Sequence, residues 1–252
     1  MPREAAELCT FRVVRSITNN HSHEESTMNS ANRTGRIIGV MLLLQLVGFI
    51  LPFVLLHPLM SEDYIANAAN YSFQIKAAVL LFFANGALTI GISICAWPIF
   101  KRYSEPMAMW LIVLSVIMFV LQASDNIHIM SMLSLSQQFI DAGAPVVQYD
   151  AIASVVRITR RWAHYPELFA IDFWIMLFQV MLLRFSLVPR PLAAFSLLTM
   201  VLHFVAVPLP GFLGYGINTT LGVPMAFGLL AIAVWLMAKG LRDRPAYNDE
   251  LK

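Results

Sequence analysis

The stretch AAVLLFFANGALTIGISICAWPIF, residues 77–100, runs for 24 positions without one charged side chain. The hydrocarbon core of a bilayer is about 30 Å thick, so a helix that crosses it needs about 20 predominantly apolar residues. This stretch is therefore long enough to cross a membrane. It is also longer and more uniformly apolar than an ordinary helix of a soluble domain.

Five other stretches have the same character, and the six apolar runs cover about residues 37–56, 77–100, 107–132, 168–183, 192–208 and 223–238. The whole composition agrees, because 58% hydrophobic and 13% charged residues lie well away from a soluble mixture. The sequence predicts an all-α membrane protein, a polytopic bundle of six transmembrane helices. We place this membrane domain at residues 33–242 and a short tail at 243–252.

The N-terminal segment, residues 1–32, is polar and carries no apolar run like that of a signal peptide. We predict that it is a disordered tail. Met28 lies just before the first apolar run and is an alternative start of translation. In that case residues 1–27 are a start-site artefact.

Basic residues are distributed unequally between the two sides that six spans define. Cytoplasmic segments carry an excess of Lys and Arg. The side that holds both termini carries 13 of the 17 basic residues, namely Arg3, Arg12, Arg15, Arg33, Arg36, Lys101, Arg102, Arg184, Arg190, Lys239, Arg242, Arg244 and Lys252. Both termini are therefore predicted to be cytoplasmic.

The connector between the third and fourth runs, about residues 134–161, is the longest, and Gly143 and Pro145 break it near its middle. From Ala151 onward it has the pattern of a helix. One face of that helix carries Arg157, Arg160, Arg161 and His164. This segment is either an interfacial helix whose arginines reach lipid phosphates, or a basic lid whose three arginines contact an anionic group in an outward-facing pocket.

Ionisable residues inside membrane spans are costly and usually mark a site or a structural pair. Here they are concentrated in the outer halves of spans three to five, as Asp125, His128, His164, Glu167, Asp172 and His203, and the uncharged but polar Asn126 joins the candidates beside Asp125. Asp125 and His128 are three residues apart and share a helix face. We therefore predict one contiguous polar site, in which Asp125 and His128 face Asp172 and His203 lies nearby.

Several functions fit such a site. It could hold a small polar ligand or an ion in an outward-facing cavity, or form the metal centre of a membrane-embedded enzyme, including a haem held by His128 and His203. Alternatively, Asp125 or Asp172 pairs with Lys76 or Arg161, and the protein is a structural or accessory subunit. The sequence carries no cofactor fingerprint or phosphate loop. We thus expect no cofactor, no nucleic acid and the lipid bilayer as partner, while catalytic residues, metal ligands and protein partners stay undetermined.

Three motifs carry a family resemblance: PIFKRYSEPMAM at 98–109, RFSLVPRPLAA at 184–194 and WLMAKGLR at 235–242. In this order and spacing, the sequence resembles the bacterial multi-span family known as domain of unknown function 4386, over about residues 33–242. The resemblance implies a six-span helical protein of the bacterial inner membrane without an assigned activity. It therefore supports the topology and adds nothing on chemistry.

Overall fold

The structure, a computed structural model, describes residues 30–61, 63–143 and 146–242. In these ranges the regular elements are helices, without a β-strand. Six helices are long and apolar enough to cross a membrane. The prediction of an all-α, six-span protein is confirmed.

The spanning helices are α1 (Ser30–Leu55), α4 (Ser72–Phe100), α5 (Glu105–Ala142), α6 (Val146–Arg184), α7 (Arg190–Ala206) and α9 (Pro224–Lys239). Between them lie α2 (His57–Met60), α3 (Tyr64–Asn67) and α8 (Pro208–Leu213), with 3₁₀ turns at Ala68–Tyr71 and Thr219–Gly222. Residues 30–32, which the sequence placed in the N-terminal tail, already belong to α1. The tail predictions for residues 1–29 and 243–252 lie outside the described residues.

Helices α5 and α6 differ most from the predicted spans, because they continue through most of the predicted connector. They contain 38 and 39 residues, or roughly 57 Å of helix at 1.5 Å per residue, almost twice the hydrocarbon thickness. Their extensions pack against α2 and α3 in a second hydrophobic core that includes Leu56, Tyr64 and Leu133. The helix predicted from Ala151 onward is part of α6, whereas the extension of α5 was not predicted. We call the α2–α3 segment and these extensions the cap.

The cap lies at the end of the bundle opposite the two termini. At the terminal end, Gly35 of α1 packs against the backbone of Leu241, just beyond α9. The backbone nitrogen of Arg242 also donates to the carbonyl of Leu187 in the turn between α6 and α7. The two ends of the membrane domain are therefore on the same side, as an even number of spans requires.

Close packing of α1 on α9 depends on glycine. A Cβ atom on Gly39 would lie 2.6 Å from the backbone nitrogen of Met237 and 2.8 Å from the carbonyl oxygen of Ala233. Gly39→Val should therefore force the two backbones apart and destabilise the bundle by about 1–3 kcal/mol. Thermal unfolding in detergent measures this loss. Gly216→Ala is the control, because a Cβ there meets no atom within 4 Å; equal effects of the two changes would contradict the packing argument.

The shared side of the termini is predicted to be the cytoplasm, since most of the basic residues lie there. A green fluorescent protein fused to the C-terminus should fluoresce, and alkaline phosphatase fused at the same point should be inactive. A reporter inserted after Asp63, in the α2–α3 connector, should give the opposite pair of results. Phosphatase activity from the C-terminal fusion would disprove the orientation.

Candidate functional site

One face of α6 carries four of the six polar candidates on that helix. Its members repeat with alternating spacings of three and four residues, so they form one stripe along a helix: Arg157, Arg160, His164, Glu167, Ile171, Trp174 and Phe178. The stripe is charged near the cap and apolar toward the termini. Because it packs against α5 and the rest of the bundle, its charged part is forced into the protein interior.

Four side chains meet where this stripe contacts α5. His164 Nδ1 lies 3.1 Å from Glu167 Oε2 and 3.4 Å from Asp125 Oδ2. Arg160 also lies 3.4 Å from Asp125 Oδ2. Asp125 and Glu167 are 2% and 3% exposed, and Arg160 is 8% exposed. We call Asp125, Arg160, His164 and Glu167 the charged cluster.

A second pair lies deeper in the bundle. His203 Nδ1 of α7 is 3.1 Å from Asp172 Oδ2 of α6, and Asp172 is fully buried. Asp172 is 12 residues from the end of α6 and His203 is 13 residues from the start of α7, about 18–20 Å from the terminal end by helical rise. The pair is thus within the membrane, and Asp172 does not face lipid.

A cavity of about 210 Å³ lies between the charged cluster and this pair. Its polar lining consists of His164, Glu167 and His203. The remaining walls are apolar and come from four helices and the residue after α7: Phe49, Phe53, Phe82, Leu168, Ile171, Val207 and Met225. The cavity lies next to both polar groups through His164, Glu167 and His203, whereas Asp125, Asp172 and His128 do not line it. The aromatic walls were not predicted, because hydropathy does not distinguish them from lipid-facing residues.

Access from the cap side passes Phe53. This residue lines both the cavity and a groove of about 770 Å³, which is also lined by His57, Asn67 and Gln74. Its ring centroid is 6.0 Å from that of His164 and 5.8 Å from that of Phe82. Phe53 therefore lies between this surface groove and the charged cluster.

The remaining predicted site residues lie elsewhere. His128 is partly buried and makes no hydrogen bond or ion pair with the described residues, so Asp125 interacts with α6 without it. Asn126 is buried and lines a different, mostly apolar groove between α4 and α5. Arg157 lies 5.0 Å from the ring centroid of Tyr64 in the cap, whereas Arg161 is exposed. Arg161 thus lies at the exposed edge of the helix side that carries Arg160 and His164, and Lys76 is exposed as well.

Both polar contacts follow from the positions of the turns. In two antiparallel helices, residues at equal distances from the turn are neighbours. Position 144 is the midpoint between the end of α5 at Ala142 and the start of α6 at Val146. Asp125 is 19 positions before this midpoint, and the position 19 after it is 163, which lies between Arg160 and His164. Asp172 and His203 are likewise 15 before and 16 after residue 187, the middle of the turn between α6 and α7. The sequence predicts a break at Gly143 inside a long connector, and in the structure α5 ends there with Gly143 in a left-handed conformation.

The charged cluster has the ligands and spacings of a metal site. Single ligand atoms of Asp125, His164 and Glu167 lie within 4.8 Å of one another. Ligands about 2.1 Å from a metal ion at tetrahedral or octahedral angles are about 3.0–3.4 Å apart, and the two contacts of His164 have these lengths. They are also lengths of hydrogen bonds. A proton on Nδ1 can hold the two carboxylates together, and a metal ion can replace that proton.

Fold and site together define a polytopic helical membrane protein with buried ionisable residues in its interior. The chain belongs to the family described as Domain of unknown function (DUF4386), which matches residues 37–240. No curated protein and no solved structure matches it.

Proposed function

We propose that this protein binds a divalent transition-metal ion inside the membrane, at Asp125, His164 and Glu167. The observation that carries the proposal is that one imidazole and two carboxylates each place a ligand atom within 4.8 Å of the other two. An imidazole with carboxylates suits zinc, manganese or iron(II) better than calcium or magnesium. The ion would be held in the half of the bundle opposite the termini.

Charge supports an exchangeable cation at this position. With His164 neutral, the charged cluster holds two negative charges and the positive charge of Arg160. The resulting single negative charge is costly in hydrocarbon, and either a proton on His164 or a bound cation compensates it. Asp125 Oδ1 is buried and has no hydrogen-bond partner among the described residues, so this carboxylate keeps an oxygen that a cation could use.

The competing structural interpretation is that Arg160 with Asp125 and His164 with Glu167 are two self-sufficient ion pairs. Two features favour a binding site. His164 Nδ1 contacts both carboxylates rather than one, so the groups converge on a point instead of forming separate pairs. The cavity also touches His164 and Glu167, and it provides room through which an ion or water can reach them. We further propose that the protein resides in the bacterial inner membrane with this cavity toward the outside.

Zinc binding to the purified full-length protein tests the proposal. Protein in lipid nanodiscs is stripped with a chelator, incubated with zinc, desalted and analysed by mass spectrometry for metal per chain. We expect one zinc ion per chain. Because residues 21–25 read HSHEE and can bind zinc themselves, the protein carries His21→Ala and His23→Ala and has no histidine tag.

His128→Ala is the matched control, since His128 also lies on α5 but outside the charged cluster. It should retain the zinc that the parent protein binds. Absence of stoichiometric zinc, or loss of zinc in His128→Ala, would contradict the proposed site.

A further inference from the structure

The cavity between the charged cluster and His203 is lined mainly by apolar side chains. It offers three polar side chains, His164, Glu167 and His203, against seven apolar ones. A volume of about 210 Å³ would correspond to about seven water molecules at roughly 30 Å³ each. Seven of the ten lining side chains offer such waters no hydrogen bond, so a water cluster would be held by three side chains alone. A mostly apolar occupant fits the walls better.

Size limits this occupant to a small molecule. An apolar cavity of about 150 Å³ holds benzene, so the present cavity has room for one aromatic ring with a few substituents. Phe53 and Phe82 have their ring centroids 5.8 Å apart at 84°, and with Phe49 they provide the edge and face contacts that another ring prefers. The ligand is thus a small molecule with one aromatic ring rather than a full-length lipid acyl chain.

His203 supplies a polar contact for such a ligand. Its Nδ1 lies 3.1 Å from Asp172 Oδ2. When Asp172 is ionised, the carboxylate only accepts hydrogen bonds, and Nδ1 then carries the proton. Nε2 is then the nitrogen left for a ligand, and it accepts a hydrogen bond when the ring is neutral and donates one when it is protonated. A hydroxyl group both donates and accepts, so it satisfies His203 in either state.

We propose that the cavity binds a small phenolic molecule, one aromatic ring whose hydroxyl hydrogen-bonds to His203 Nε2 while the ring packs against Phe49, Phe53 and Phe82. This inference goes beyond the metal site and does not depend on it. The binding is therefore tested in chelator-treated protein without added metal, where failure leaves the zinc result unaffected.

Binding of p-cresol and toluene separates the hydroxyl contact from simple filling of the cavity. Full-length protein in nanodiscs is equilibrated by dialysis against each compound, and uptake by protein-free nanodiscs is subtracted. His203→Asn keeps an amide that donates to Asp172 and removes the nitrogen that would bind the ligand. We expect this change to weaken p-cresol binding about five- to tenfold, the worth of one hydrogen bond, and to alter toluene binding less than twofold.

Val207→Trp is the second variant, because it fills the cavity and leaves Asp172 and His203 in place. It should abolish binding of both compounds, and it keeps the test decisive if His203→Asn does not fold. The proposal is overturned if neither compound binds above the protein-free level. It is equally overturned if His203→Asn weakens both compounds alike, or if Val207→Trp leaves binding unchanged.

Discussion

Glu167→Gln is expected to weaken zinc binding at least 100-fold, which corresponds to about 2.7 kcal/mol. The amide has nearly the same shape as the carboxylate, but it lacks the negative charge and is a poor ligand for a transition metal. Glu167 Oε2 lies 3.1 Å from His164 Nδ1, so the change also weakens the contact that orients the imidazole. Competition with a zinc indicator, on protein in nanodiscs, measures the affinity.

Glu105→Gln provides the control for this experiment. Glu105 is an exposed carboxylate in the first turn of α5, far from the charged cluster along the helix. It should leave zinc affinity within twofold of the parent protein. Equal affinities in the two variants would show that zinc does not bind at Glu167, and the metal site would have to be abandoned.

The topology could be predicted from the sequence because one physical requirement dominates it. Every span must be long and apolar enough for hydrocarbon, and that property is local to each stretch of sequence. The structure confirms all six spans. The connectors are the segments between the apolar runs, so their order along the chain is predicted together with the spans. The helical pattern from Ala151 onward was predicted, whereas the extension of α5 was not, because it packs against Tyr64 and its neighbours in a distant part of the chain.

The members of the site were predicted more completely than its contacts. Asp125, His164, Glu167, Asp172 and His203 are identified by the cost of ionisable groups in a membrane. Which of them touch is decided by the rotation and the register of each helix. The spacing of Asp125 and His128 shows only that they lie on one side of α5, and the register of α5 against α6 places Asp125 beside Arg160 and His164 instead. Helix periodicity without the turn position could not decide this.

Replacing Arg160 by Met should make the stability of the protein depend on metal. The guanidinium is the positive group 3.4 Å from Asp125 Oδ2, and the loss of one partner of a buried ion pair costs about 3–5 kcal/mol. Without metal, Arg160→Met should therefore unfold at a clearly lower temperature than the parent protein. Removal of this positive charge also removes a competitor for Asp125, so zinc should bind about tenfold tighter. Zinc at 100 times the Kd should then restore about 2.7 kcal/mol of stability.

Thermal unfolding with and without zinc distinguishes this outcome from that of a structural ion pair. A structural pair predicts the same loss of stability in Arg160→Met, but zinc would not restore it because no cation takes the place of the guanidinium. Arg161→Met is the matched control, the same change one residue along α6 at an exposed position. It should leave both the unfolding temperature and the effect of zinc unchanged. Because Arg160 and a metal ion compensate the same carboxylate, recovery of Arg160→Met by zinc would identify Asp125 as a metal ligand rather than only a partner of arginine.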